Sequence, residues 1–268
     1  MNPGQTAHQA ARSDAVKRLG RFGFASRAAV FVLLGVVTLL IAFAGRRAEP
    51  DQKGALAELA GHWYGLILLW IVFLGLVAFA LWCFSQAAVG VVGKEGETLP
   101  RIQQFISGCV YGSLAVSAFT LAIHAHTSSQ ARTQSTFTGR VMSHSGGRWA
   151  VGIVGLIILG AGLVMAYDGV RRKFVDDLQT AEMDEATQRT VTTLGVVGAV
   201  ARGLVFALSG FLFLDAAWTY DAKKATGLDG ALRTLQQTAF GPYLLGLAAL
   251  GLIAFGLYGF AEAKYRRT

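Results

Sequence analysis

The sequence predicts an all-α integral membrane protein in which six transmembrane helices form three tandem helical hairpins in a pseudo-threefold arrangement. Three observations lead to that class. Of the 268 residues, 53% are hydrophobic and only 15% charged, against roughly 25% charged in soluble domains. The apolar residues fall in six long runs, and the first pair of runs recurs at the end of the chain with a diverged copy between. The same composition excludes a disordered chain. Two cysteines and four prolines exclude a disulfide scaffold and a proline-rich fibre.

Taken in order, the chain opens on a basic tail, residues 1–18, with Arg12, Lys17 and Arg18, followed by Arg21 and Arg27. The first apolar run, Ala28 to Ala44, ends in Ala42-Phe43-Ala44, which resembles a signal-peptidase site. Because this run has a counterpart late in the chain, it reads as a retained signal anchor. The others are Tyr64 to Phe84, Phe105 to Ile123, Trp149 to Tyr167, Gly203 to Trp218 and Pro242 to Phe260. Crossing roughly 30 Å of hydrocarbon at 1.5 Å per residue takes about 20 residues, with about 17 as the lower limit. Five runs reach that limit without a charge. The fifth reaches it only by starting near Leu194 and taking in Arg202, or by running past Asp215. No ten-residue alternation of a β-barrel is present, and unsatisfied backbone is excluded from lipid, so the spans are helices.

A shift of 175 places Leu19, Gly20, Gly23, Arg27, Val30, Phe31 and Gly35 on Leu194, Gly195, Gly198, Arg202, Val205, Phe206 and Gly210. A shift of 176 places Gly54-Ala55-Leu56 on Gly230-Ala231-Leu232, Gly75 on Gly251 and Phe79 on Phe255. The duplicated unit is a helical hairpin. A third copy lies between: at a shift of 80, Val30 and Phe31 meet Val110 and Tyr111, and at a shift of 85, Gly75 and Trp82 meet Gly160 and Tyr167. Ser107 stands where the outer copies have Arg27 and Arg202. The expected divisions are a tail 1–18, hairpins 19–90, 99–173 and 194–263, and a second tail 264–268. Hairpins of even span number enter the membrane from one side, as parallel repeats about an axis along the membrane normal.

Fifteen Lys and Arg residues fall on the side of the termini and nine on the other. Positive charge is retained in the cytoplasm, so both termini are expected there. The net charge of +8 then faces anionic lipid headgroups and requires no nucleic acid. No zinc spacing or basic-aromatic RNA motif is present.

The pattern Gly-x-x-Gly-x-x-x-Arg-x-x-Val-Phe-x-Leu-x-Gly, at Gly20 to Gly35 and again at Gly195 to Gly210, is followed by Gly-Ala-Leu and a glycine-rich span ending in Trp82 or Tyr258. It resembles the bacterial DUF1206 family over nearly the whole chain after residue 18. The resemblance implies a six-span protein of three such hairpins in the bacterial cytoplasmic (inner) membrane, of unknown function, and it carries over no catalytic residue.

Arg27 and Arg202 are the first candidate site residues. Charges at the centre of a span cost about 2.5–3.5 kcal/mol on insertion scales and often mark a site. They either snorkel to cytoplasmic headgroups or, as candidates together with Glu262 at the end of the last span, line a shared pocket for a small anion or lipid phosphate or link to that Glu262. On the outer side, Asp215 together with His62, His124, His126 and His144 forms a second polar group. His-x-His in a loop is a weak metal pattern, so no metal and no cofactor is expected. Gly152, Gly155, Gly160 and Gly162, with Gly246, Gly251, Gly256 and Gly259, read as helix-packing seams. Cys83 and Cys109 read as small buried residues, Ala125 to Arg148 as a solvated outer loop, and the acidic part of Asp168 to Arg189 as a short surface helix.

No nucleophile, base and acid group together, so an enzyme is not expected. Two functions fit. The first is transport or binding of a small anion or lipid headgroup. The second is a structural membrane protein that binds a membrane-protein partner or a second copy of itself. Membrane lipids are expected partners of either.

Overall fold

The computed structural model describes residues 14–44, 65–90, 97–123, 130–144, 146–225, 231–232, 234–235 and 240–266. Six helices in it are long and apolar enough to cross a membrane: α1 (Asp14–Ala44), α2 (Gly65–Val89), α3 (Thr98–Ala122), α5 (Gly147–Val170), α6 (Glu185–Thr219) and α7 (Gly241–Tyr265). A shorter helix, α4 (Gln130–Met142), lies between α3 and α5. The protein is a multi-pass membrane protein of three helical hairpins.

The helices outrun the apolar stretches that announce them, because a continued helix pairs its own backbone polar groups wherever the membrane ends. The largest extension is in α6, which starts at Glu185. Asp184 caps it, its carboxylate accepting from the Thr187 hydroxyl at 2.6 Å and the Thr187 N–H at 3.3 Å. Arg202 therefore stands at the midpoint of a 35-residue helix, not at the edge of a short one.

Several local expectations are corrected. The stretch 125–148 is not simply a loop, since α4 occupies much of it. Thr138 and Met142 are buried, and the Tyr220 hydroxyl at the end of α6 donates to the Met142 carbonyl at 2.9 Å. The acidic segment before α6 is not an α-helix but two 3-10 turns, Lys173–Asp177 and Thr180–Glu182. Its backbone is drawn into pairing with the chain end: Leu178 is buried and bridges Arg266, and the Gln179 N–H donates to the Tyr265 carbonyl at 2.8 Å. Cys83 is buried as expected, but Cys109 is exposed, because it lies beside Val110 on the outward face of α3.

The helices pack in the order α3, α2, α1, α7, α6, α5. The second helix of each hairpin lies against the first helix of the next, giving seams α2–α3, α5–α6 and α7–α1. The last of these joins the third repeat back to the first, so the repeats close around an axis instead of stacking in a line.

Close backbone approach makes these seams, as expected where both lipid and side chains are apolar. A Cβ at Gly256 would lie 2.8 Å from the Ala28 carbonyl and 2.8 Å from the Val32 nitrogen. Gly162 takes the same position between Gly203 and Ala207, the repeat counterparts of Ala28 and Val32. This match corrects the register of the central copy: α5 follows α2 at a shift of 82, not 85. Asp168, rather than Arg171, is then the counterpart of Glu262 and Gln86.

Within the hairpins, repeats 1 and 3 pack alike. Gly23 and Gly198 admit the backbone of Phe79 and Phe255, Gly20 and Gly195 face Trp82 and Tyr258, and Gly75 and Gly251 receive Ser26 and Ala201. The central hairpin departs from this pattern. Its helices α3 and α5 make no extended contact, and the positions of Phe79 and Trp82 are filled by Ala161 and Val164, both exposed.

Candidate functional site

Charge inside the bundle gathers near the end of α7. Arg27 of α1 forms an ion pair with Glu262 of α7, and Arg266, which caps α7, bonds the other oxygen of the same carboxylate. Glu262 is 5% exposed. Arg266 also lies 3.8 Å from Asp177 in the first 3-10 turn. A carboxylate shared between two guanidiniums keeps its charge in a dry environment, where either partner alone would be costly.

Aromatic rings line the charged groups. The Arg27 guanidinium carbon is 4.9 Å from the ring centroid of Phe24, 5.0 Å from Phe79 and 5.8 Å from Phe255. Arg202 lies 4.7 Å from the same Phe255, 5.4 Å from Phe31 and 5.4 Å from Phe206. Each arginine thus rests on the aromatic of its own hairpin, Phe79 or Phe255, and both share Phe255. Such contacts suit a weakly hydrated guanidinium better than an ammonium.

The two arginines differ in their partners. Arg202 has no carboxylate and no hydrogen-bond acceptor among the described residues, whereas Arg27 has Glu262; the Nε of both is buried without a partner. The repeat explains this difference. The counterpart of Glu262 is Asp168, one methylene shorter, and its carboxylate is held 2.6 Å from Lys173. Arg27, Glu262 and the Tyr111 hydroxyl lie within electrostatic reach of Arg202. Around this centre Arg27, Arg202 and Arg266 face the two carboxylates of Glu262 and Asp177, which leaves one positive charge without its complement.

The site joins Arg27, Arg202 and Glu262, three residues legible in the sequence, to Arg266, Asp177, Tyr111 and Phe255, which were not. Arg266 reads as part of a terminal tail until its bonds to Glu262 are seen, and Tyr111 carries a signal only as the counterpart of Phe31 and Phe206. The outer polar group does not assemble in the described residues. Asp215 forms an ion pair with Lys224 at 2.9 Å. His144 is exposed, with Nδ1 2.8 Å from the Arg140 carbonyl of its own turn. His62, His124 and His126 lie outside the described residues. Among the described residues no three His, Cys, Asp or Glu side chains are grouped to hold a metal ion.

Comparison with known proteins finds a repeated family unit along the chain. The family described as Domain of Unknown Function (DUF1206) matches three times, at residues 22–90, 102–172 and 197–266. An uncharacterized protein of Bacillus subtilis (strain 168), YxxB, is 30% identical over 254 residues, covering 94% of this chain and 91% of the relative. No solved structure matches.

Proposed function

We propose that this chain, which belongs to the DUF1206 family, is a non-enzymatic membrane protein that binds an anionic group, a phosphate or a carboxylate, at Arg202. One observation carries the proposal: a guanidinium at the midpoint of a membrane helix that, unlike Arg27, has no carboxylate partner among the described residues, with its Nε buried. An uncompensated charge in a dry bundle costs several kcal/mol, and a bound anion removes that cost. Five donors in a planar fork favour phosphate and carboxylate over a simple halide. Arg27 contributes positive potential while its own charge is balanced by Glu262.

The proposal includes a bacterial cytoplasmic membrane location with both termini inside, supported by the fifteen-to-nine distribution of Lys and Arg. Bound anion then approaches from the cytoplasmic half of the bilayer. Protein purified in a neutral detergent and titrated with inorganic phosphate tests the binding. The wild-type unfolding midpoint is expected to rise with phosphate, and that of Arg202→Gln to stay level, because a ligand stabilises only the form that binds it. Equal responses of the two proteins would remove Arg202 from the site.

A further inference from the structure

We infer that the open face of the central hairpin is a lateral slot for one anionic phospholipid, with its phosphate toward Arg202 and an acyl chain along α5. The inference rests on the anion-binding reading of Arg202 and specifies its ligand.

The slot is a missing piece of a repeated structure. In the first hairpin Phe79 and Trp82 wedge between the helices, and in the third Phe255 and Tyr258 do so; all four are buried. Their counterparts in the central hairpin, Ala161 and Val164, are much smaller. On α3, Ile106 and Val110 are 56% and 44% exposed, and on α5, Ile157 and Val164 are 64% and 58% exposed. A Cβ added at Gly160 would meet nothing within 4 Å. The space that two aromatic side chains fill elsewhere is left apolar and open to the side of the bundle.

Depth and charge select the occupant. Gly203, next to Arg202, packs on Ala166 of α5, so Val164 in the slot and Arg202 lie at nearly the same level along the membrane normal. On the other wall, Ser107 replaces the arginine of the outer repeats, and Tyr111, one turn further on, lies within electrostatic reach of Arg202. At the terminal side of the slot, Arg171 stacks on the exposed Tyr167, 4.9 Å from its ring. The walls thus offer apolar surface to an acyl chain, and the unbalanced charge at Arg202, with Arg171 nearer the surface, complements one phosphate. A neutral lipid matches the walls but not the charge, and a free anion matches the charge but leaves the walls bare.

Native mass spectrometry of protein released from phosphatidylcholine nanodiscs containing phosphatidylglycerol tests this assignment. Wild type is expected to retain one phosphatidylglycerol. The variant Ala161→Phe with Val164→Trp, which restores the wedge of the outer repeats, is expected to retain at least tenfold less, while its unfolding midpoint still rises with inorganic phosphate. Should that variant misfold, Gly160→Leu fills the same space from a position with room for it. Arg202→Gln is expected to lose both responses. Phosphatidylglycerol retained by the filled variant and lost from Arg202→Gln overturns the slot and leaves the anion site standing, as does a wild type that responds to phosphate yet retains no lipid. Retention by Arg202→Gln at the wild-type level overturns the slot, and an Arg202→Gln midpoint that still rises with phosphate overturns the anion site as well. Wild type that holds phosphatidylcholine equally well, or leaves the nanodisc as a lipid-free dimer sealed through α3 and α5, also overturns the assignment.

Discussion

Arg27 and Glu262 are bonded to each other across 235 positions of sequence, and this pair fastens the first membrane helix to the last. Glu262 is buried and the Arg27 side chain is only 12% exposed, so removing one strands the other. Glu262→Gln leaves Arg27 without its carboxylate and Arg266 with a weaker acceptor. The expected loss is about 3–5 kcal/mol, read as a lower midpoint in detergent unfolding. Arg27→Gln added to that background is expected to cost less than it costs alone, since the two side chains share one interaction.

Arg202 is expected to behave in the opposite way. In protein stripped of lipid and phosphate, Arg202→Met replaces an unpaired charge with an apolar side chain of similar reach. Its stability should lie within about 1 kcal/mol of wild type or above it. Arg27→Met in the same detergent should be clearly less stable. Equal losses in the two variants would show that Arg202 has a carboxylate partner of its own.

The glycine seams predict a sharp positional contrast. Gly162→Val drives side-chain atoms into the backbone of Ala207 and should cost at least about 1–3 kcal/mol, visible as a poor yield of monodisperse protein. Gly160→Ala, two residues earlier, points into open space and should leave yield and midpoint unchanged or slightly raised.

At the start of α6, the hydroxyl of Thr187, and then its N–H, hold the Asp184 carboxyl below its ordinary range. A depressed folded value means that the cap stabilises the helix fully above the unfolded carboxylate range. That contribution is lost as pH falls through the lower folded value. Hydrogen exchange of the amides at 185–188 should therefore accelerate in acid, after correction for intrinsic rates, and Asp184→Ala should show that acceleration already at neutral pH.

Topology has its own measurement. Single cysteines introduced in 45–53 and 216–233 should react with an impermeant maleimide from outside intact cells, and cysteines in the 91–97 connection only after permeabilisation. The reverse pattern would invert the orientation.

Much of this fold is legible in the sequence, because span length and glycine spacing follow from bilayer thickness and backbone approach. Arg27, Arg202 and Glu262 stand out for the same reason: charge is conspicuous within apolar runs. The difference between the two arginines is not legible. It depends on one methylene in Asp168 and on Lys173 five residues further along, and the register that aligns Asp168 with Glu262 is blurred in a copy where glycines recur every few residues. The 3-10 turns escape a periodic reading as well, since what shapes them is the distant backbone of Tyr265 and Arg266.

The seam between α1 and α7 also sets a timetable for biosynthesis. Arg27 leaves the ribosome 235 residues before Glu262, and at roughly 5–20 residues per second it waits roughly 12 to 47 s in the membrane for its counter-ion. Through that interval the nascent chain carries an unmatched cation in its earliest helix. Any product truncated before the final span keeps that cation without its counter-ion.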